Sequence, residues 1–296
     1  MEVKMKSEGK CMFCGKLFSK AGINRHLGIH LNDKMTQKST PSNEKVIQTG
    51  EGVTDSKQKS DPSNENAKKA KGKVSKKNAE KSFFVKVEYK SQWEDEKPYF
   101  LSLWIDGKIE MEELSNFLKK IWLECCFHGS AFWKKAEKPD PVILAKLKKK
   151  GDFEKYVQYT SACDDGDIAM DEEARDVLYK GLKFHYDYDF GTTTSLILKV
   201  IDEYPIAADS RIVLLSRNEP LMIMCTECGN RIATKVCTAH WNETLLCDPC
   251  AKKHSEKCIY FNDNNPRRVV NSPRMGKCVY NGGTIDKERD GVYDKN

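Results

Sequence analysis

Residues 225–258 read "CTECGNRIATKVCTAHWNETLLCDPCAKKHSEKC" and set out Cys225, Cys228, Cys237, His240, Cys247, Cys250, His254 and Cys258 in four pairs. Thiolates and imidazoles at two- to three-residue spacing are ligands for a soft or borderline divalent cation, zinc above all. Three chemistries compete for such a cluster. Disulfides need an oxidising compartment, and the N-terminus "MEVKMKSEGKCMFC" has no signal-peptide core, so the twelve cysteines are read as thiols of a cytoplasmic protein. A catalytic zinc leaves one coordination position for water, whereas eight matched ligands leave none. A redox dithiol presents one C-x-x-C ahead of a helix, not four clustered pairs. Structural zinc is therefore expected, and the ligands pair either sequentially or as a cross-brace.

A second constellation lies in "CMFCGKLFSKAGINRHLGIH", where Cys11 and Cys14 form one hook and His26 and His30 another, with Phe18, Ile23 and Leu27 as a small apolar core. It resembles a two-Cys, two-His (C2H2) zinc finger, with eleven residues between Cys14 and His26 where the usual pattern has twelve. The longer cluster resembles the B-box type of zinc domain. That resemblance implies the cross-brace, with Cys225, Cys228, Cys247 and Cys250 on one ion and Cys237, His240, His254 and Cys258 on the other. Three zinc ions are expected in all. The formal charge of +6 counts every cysteine as neutral, so the metal-loaded chain is less basic than its sequence.

These sites need elements to hold them. Of the 296 residues, 39% are hydrophobic and 32% charged, but the distribution is uneven. Residues 33–82 carry no aromatic side chain and are rich in Ser, Asn, Gly and Lys, so they are expected to form a disordered linker between a flexible finger (9–32) and the rest. Its "KKAKGKVSKK" is basic enough to meet nucleic acid or an acidic partner. A globular domain is expected over 83–219. "FFVKVEY", "YFLSLWI", "KFHYDYDF", "TSLILKVIDEY" and "RIVLLSRNEP" have strand composition, while "MEELSNFLKKIWLECC", "PVILAKLKKKG" and "DEEARDVLYKG" read as helices. Cys125 and Cys126 are then simply core residues of the first helix. Strands and helices without regular alternation predict an α+β domain flanked by small zinc modules.

Tyr186, Tyr188, Asp189, Phe190 and Gly191, ending a strand and followed by another, together with "LSNFLKKIWLECCFHGSAFW", make residues 83–205 similar to the Ri-plasmid open-reading-frame-three-like family, also described as transposon-passenger TnpR-like proteins. The resemblance implies an α+β fold and a setting in mobile elements. It implies no chemistry, and Thr192, Thr193 and Thr194 depart from the family's acidic, Trp-containing continuation.

Other signals carry less. "DFG" lacks the companion motifs of a kinase, and "CDDGDIAMDEE" misses the EF-hand positions. His128, His185, Asp187 and Asp189 are read as structural, leaving no catalytic or cofactor-binding residue. Within the zinc module and its basic extension (220–284), "RRVVNSPRMGKCVYNGG" is expected to return along the module's surface with solvated charges, ahead of a tail over 285–296. The functional expectation is a non-enzymatic zinc protein that binds nucleic acid. The alternatives are a protein-interaction adaptor using its zinc modules and an enzyme of unknown chemistry. No apolar run is long enough for a membrane span.

Overall fold

The structure, a computed structural model, describes residues 7–39, 80–89, 99–134, 141–152, 154–155, 167–239, 244–263 and 266–290. The "KKAKGKVSKK" stretch, His240 and most of the expected linker lie outside these residues. A hairpin of β1 (Glu8–Lys10) and β2 (Leu17–Ser19) leads into α1 (Ile23–Ser39), so the first residues expected in the linker are the last turns of a helix. Then come β3 (Ser82–Tyr89), β4 (Phe100–Asp106) and α2 (Met111–Leu118), which widens into a π-turn over Lys119–Leu123. β5 (Ser130–Trp133), α3 (Pro141–Lys150), α4 (Ala174–Val177), β6 (Lys183–Tyr188), β7 (Thr194–Tyr204) and β8 (Ile212–Arg217) complete the central part. The C-terminal part holds β9 (Lys235–Cys237), β10 (Thr244–Leu246), α5 (Asp248–Ser255), α6 (Ile259–Asp263), β11 (Arg267–Arg268) and α7 (Lys287–Asp290).

The expected mixture of helices and strands is present, built on an antiparallel six-stranded sheet in the order β5-β6-β7-β3-β4-β8. Two local expectations change. The helix expected over "DEEARDVLYKG" shrinks to Ala174–Val177, because Leu178 turns extended and Val177, Leu178 and Leu182 all enter the core. "SAFW" forms an additional strand, β5, that pairs with β6.

Strand alternation sends Phe83, Val85, Val87, Leu101, Leu103, Ile105, Leu196, Leu198 and Val200 to one face, under α2. Phe84, Phe100, Trp104, Tyr204 and Leu215 go to the other. Every residue of β4 is buried, as in a strand covered on both sides. The second cover is the finger. Ile23, Leu27 and Leu31, one stripe of α1, pack on that face together with Cys11.

The finger is thus docked rather than free, because a sheet face with Trp104, Phe84 and Phe100 needs a lid and α1 carries a matching stripe. The main chain joins in: Met12 N–H donates to Leu215 O at 2.9 Å and Glu219 N–H to Glu8 O at 2.8 Å. Gly9 lies so close to the sheet that a Cβ there would sit 2.6 Å from Phe100 Cζ. Lys20 pairs with Glu88 at 2.8 Å, and Lys34 and Lys38 both pair with Asp209. Burial raises the carboxyls of Glu88 and Asp209, but the lysines outweigh it and hold both below the ordinary carboxylate range.

The C-terminal segment also departs from expectation. Val269, Val270, Met275 and Tyr280 belong to the main core, and Arg274 is fully buried. Its attachment exploits the π-turn, whose carbonyls lack α-helical partners. Thr284 N–H donates to Lys120 O at 2.6 Å and the Ser272 hydroxyl to Trp122 O at 2.7 Å. Of the charges expected in solvent, Arg274 is buried against the Asp189 carboxylate, while Arg267, Arg268 and Lys277 are half-buried. Arg217, at the end of β8, donates to Asn271 O and to Asp290 Oδ1, both at 2.5 Å, and lies 3.3 Å from Asp286 Oδ2.

Candidate metal centres

Four ligands at about 2.3 Å (Zn–S) and about 2.0–2.1 Å (Zn–N) around one tetrahedral ion are separated by about 3.8 Å for sulfur pairs and about 3.3–3.6 Å where nitrogen takes part. That edge length is the test of fit. A disulfide would need about 2.05 Å instead, and each described cysteine is a free thiol.

In the finger, Cys11 and Cys14 sit in the turn between β1 and β2, and His26 and His30 face them from successive turns of α1. All four donor atoms fall within 4.8 Å of one another. Cys14 Sγ lies 3.2 Å from His26 Nε2, and the two imidazole Nε2 atoms lie 3.2 Å apart. Burial and the neighbouring His30 and Lys16 charges lower the His26 pKa, favouring the neutral imidazole that ligates metal. Gly15 closes the turn. It takes φ +72°, and its N–H donates to Cys11 O at 2.8 Å.

The same turn recurs after Cys225 and Cys228, where Gly229 takes φ +64° and donates to Cys225 O at 2.9 Å. A C-x-x-C-G repeat thus shapes both hooks. Cys247 is the N-cap of α5 and Cys250 lies in its first turn, which brings them to Cys225 and Cys228. Cys228 Sγ and Cys247 Sγ are 3.8 Å apart, the tetrahedral edge. Burial raises the Cys225 thiol, but the N–H groups of Cys247, Cys228 and Glu227 bring it down to about 6. Cys250 is pushed up to about 12, first by the adjoining Cys247. Four thiols cannot all ionise in one small space without a cation, and a divalent ion would relieve that repulsion.

The remaining ligands group apart from these: Cys237 at the end of β9, His254 on the last turn of α5 and Cys258 just beyond it. Cys237 Sγ and Cys258 Sγ are 4.0 Å apart. This grouping is that of the cross-brace, with α5 handing Cys250 to one cluster and His254 to the other. The apolar core beside the second cluster is small, comprising Leu246, Ala251 and Phe261 with the two cysteines. Ala233 and Val236 tie the same module to the main core, and ligation would add to that packing.

A fourth cluster was not visible in any linear motif. Cys125, Cys126 and His128, on the loop leaving α2, meet Cys278 of the C-terminal segment, again with all donor atoms within 4.8 Å. Cys125 and Cys126 are therefore not simply core residues. The former is half-buried and packs against the edge of the main core, whereas the latter is exposed because the helix has ended in the π-turn before it. The one local signal was the spacing of "CCFH"; its partner lies 152 residues from Cys126.

Of the acid/base candidates, His128 and Asp189 come together, His128 Nε2 lying 3.5 Å from Asp189 Oδ2. Tyr186 and Tyr188 face the core from β6, whereas His185 and Asp187 lie on its other face. Asp189 takes φ +62° and is 5% exposed, and its carboxylate accepts from Gly191 N–H, Thr192 N–H and the Arg274 guanidinium. Burial raises its pKa, but those partners more than reverse the shift. Such a carboxylate is committed to structure and is a poor base.

No family model matches the chain, and no curated protein matches it. Among solved structures it is similar to a crystal structure of a protein of unknown function, MM3350, from Methanosarcina mazei Go1. The identity is 11%, covering 47% of this chain and 68% of that one with a TM-score of 0.30, a likeness too weak to carry fold or function across.

Proposed function

We propose that the protein is a zinc-organised, non-enzymatic binding scaffold and that its partner is another polypeptide. The observation that carries this reading is the docking of the finger. Lys20, Lys34 and Lys38, side chains that a nucleic-acid finger would turn to phosphates, are paired with Glu88 and Asp209. Where a finger helix enters the major groove, this chain offers Ala21 and Gly22, with Arg25 the one long donor of α1's first turn. The C-terminal module turns apolar groups outward instead: Ile259 is 70% exposed and Tyr260 64%, side by side at the start of α6 and directly after Cys258. Zinc at Cys11, Cys14, His26 and His30, at Cys225, Cys228, Cys247 and Cys250, and at Cys237, His240, His254 and Cys258 would hold these surfaces in place.

The second reading, nucleic-acid binding through the lysines of "KKAKGKVSKK", rests on composition. The likeness of residues 83–205 to the Ri-plasmid open-reading-frame-three-like family rests on the quoted residues and supports neither partner over the other. Among the described residues no helix is long and apolar enough to cross a membrane.

Pull-down of the tagged, zinc-loaded full chain with and without nuclease separates the readings. A captured polypeptide should survive nuclease and be lost from an Ile259→Asp/Tyr260→Ala variant of unchanged zinc content. Binding of duplex or single-stranded nucleic acid at low salt that a Lys68, Lys69, Lys71 and Lys73→Gln variant loses, with no nuclease-resistant partner, would replace this proposal by the second.

A further inference from the structure

We infer that Cys125, Cys126, His128 and Cys278 form a fourth zinc centre, a clasp that locks residues 266–290 onto the central domain. The distances come first. Cys126 Sγ lies 3.0 Å from His128 Nε2 and 3.3 Å from Cys278 Sγ, His128 Nε2 lies 3.4 Å from Cys278 Sγ, and Cys125 Sγ lies 3.8 Å from Cys126 Sγ. Three sulfurs and one imidazole nitrogen, all within 4.8 Å of one another, are the ligand types of a Cys3His zinc set, closed to water and hence structural; the Cys126–Cys278 and Cys126–His128 separations are about 0.5 Å shorter than the tetrahedral edges and would widen around an ion.

The backbone is a second, independent observation. Phe127, between two ligands, takes φ +62° with its side chain 95% exposed, and Cys278 itself takes φ +48°. Neither is glycine, and a non-glycine residue held at positive φ costs about 1–3 kcal/mol that its surroundings must supply. Phe127 has no burial to offer in return. Its conformation swings Cys126 and His128 to the same side; its own N–H donates to Glu124 Oε1 at 2.6 Å, and bonds from its two neighbours to an ion would add to that support.

The surroundings fit the charge. Three thiolates and Zn2+ carry one net negative charge; the buried Arg274 guanidinium lies 3.6 Å from Cys125 Sγ and also answers the Asp189 carboxylate, which lies 3.5 Å from His128 Nε2. The Tyr188 hydroxyl sits 3.7 Å from the same sulfur. The Arg274–Asp189 pair therefore lies directly behind the centre.

Position gives the centre its role. The three sequence-legible clusters each draw ligands from one short segment, whereas this one joins the exit of α2 to a segment near the other end of the chain. Cys278 lies on a more open stretch of that segment, Val279 beside it being 57% exposed, between Met275 and Tyr280, which are anchored in the main core. Loss of zinc here would loosen residues 266–290 without opening the finger. The inference stands whichever partner the scaffold binds.

Native mass spectrometry of the full chain should count one zinc beyond the three other centres, and Cys126→Ser or Cys278→Ser should remove that one. Cys278→His, which keeps a ligand, should retain it. Hydrogen exchange over 269–290 should rise by about tenfold or more in Cys278→Ser, with 11–30 unchanged. Should the serine variants fail to fold, alkylation of the wild type decides, since exposed Cys126 should react slowly until a chelator is added. Fast alkylation of Cys126 in the fully loaded protein, or an unchanged zinc count in Cys278→Ser, would overturn the inference.

Discussion

Stripping zinc with a strong chelator is expected to destabilise the six-stranded sheet as well as the two terminal zinc units. A free finger on a flexible tether would unfold alone. Here the finger supplies Ile23, Leu27 and Leu31 to the face holding Phe84, Phe100, Trp104 and Leu215, so its collapse uncovers that face. Structural zinc contributes about 10–16 kcal/mol to folding of a small finger at neutral pH, far more than the packing of a short ββα unit can replace. Each large side chain newly exposed on the sheet then costs about 1.5–3 kcal/mol. Hydrogen exchange of β4 and β8 should therefore accelerate on chelation, and Trp104, buried beneath Lys34 and Lys38, should become accessible to quencher. Loss of protection confined to residues 7–39 would mean that the finger and sheet fold independently.

Replacing Arg217 by Met should destabilise the fold by about 3–5 kcal/mol, because it strands buried carboxylates without a counter-charge. Arg217 is fully buried, and the side chains of Asp290 and Asp286 facing it are 8% and 13% exposed. The Asn218–Asn271 pair, joined at 2.8 Å, lies alongside. Urea denaturation should show the loss, and the double variant with Asp290→Asn should recover part of it, since the amide needs no cation. The pH dependence has a definite sign. Burial raises the Asp290 pKa in the folded state, so the folded chain holds that proton more tightly than the unfolded chain and stability falls as pH rises through the folded value. Removing Arg217 raises that pKa further. The deficit of Arg217→Met should accordingly be smallest at acid pH, where Asp290 is protonated in both states, and grow as pH rises above the ordinary carboxylate range. An effect below about 1 kcal/mol, independent of pH, would show that water solvates this network.

Legibility in the sequence followed the distance between interacting residues. The hooks at Cys11, Cys225 and Cys247 are local patterns, and their geometry follows from C-x-x-C turns and a helix that spaces Cys250 and His254 one turn apart. Strands such as "FFVKVEY" and "TSLILKVIDEY" announce themselves by composition and alternation. What stayed hidden was long-range. Ile23 and Leu27 read equally well as a finger's private core or as a lid on a sheet, and only the presence of an uncovered face holding Trp104 decides. Arg274 reads as a solvated charge until Asp189 is brought beside it, and nothing local marks Arg217 as the partner of Asp290. Cys126 and Cys278 form no motif at all, since the fold alone closes the gap between them. The Tyr-x-Tyr-Asp-Phe-Gly segment was legible as a motif but not as a role: Asp189 anchors the C-terminal segment through Arg274.

The central claim is that zinc at the Cys/His clusters organises this chain. The most direct measurement is the zinc content of the purified full-length protein by native mass spectrometry, beside Cys11→Ser, Cys228→Ser and Cys258→Ser variants. Each of these three substitutions falls in a different sequence-legible cluster. The wild type should carry an ion at each of those clusters, and every variant one fewer. A wild-type protein that folds with one zinc ion or none would contradict it.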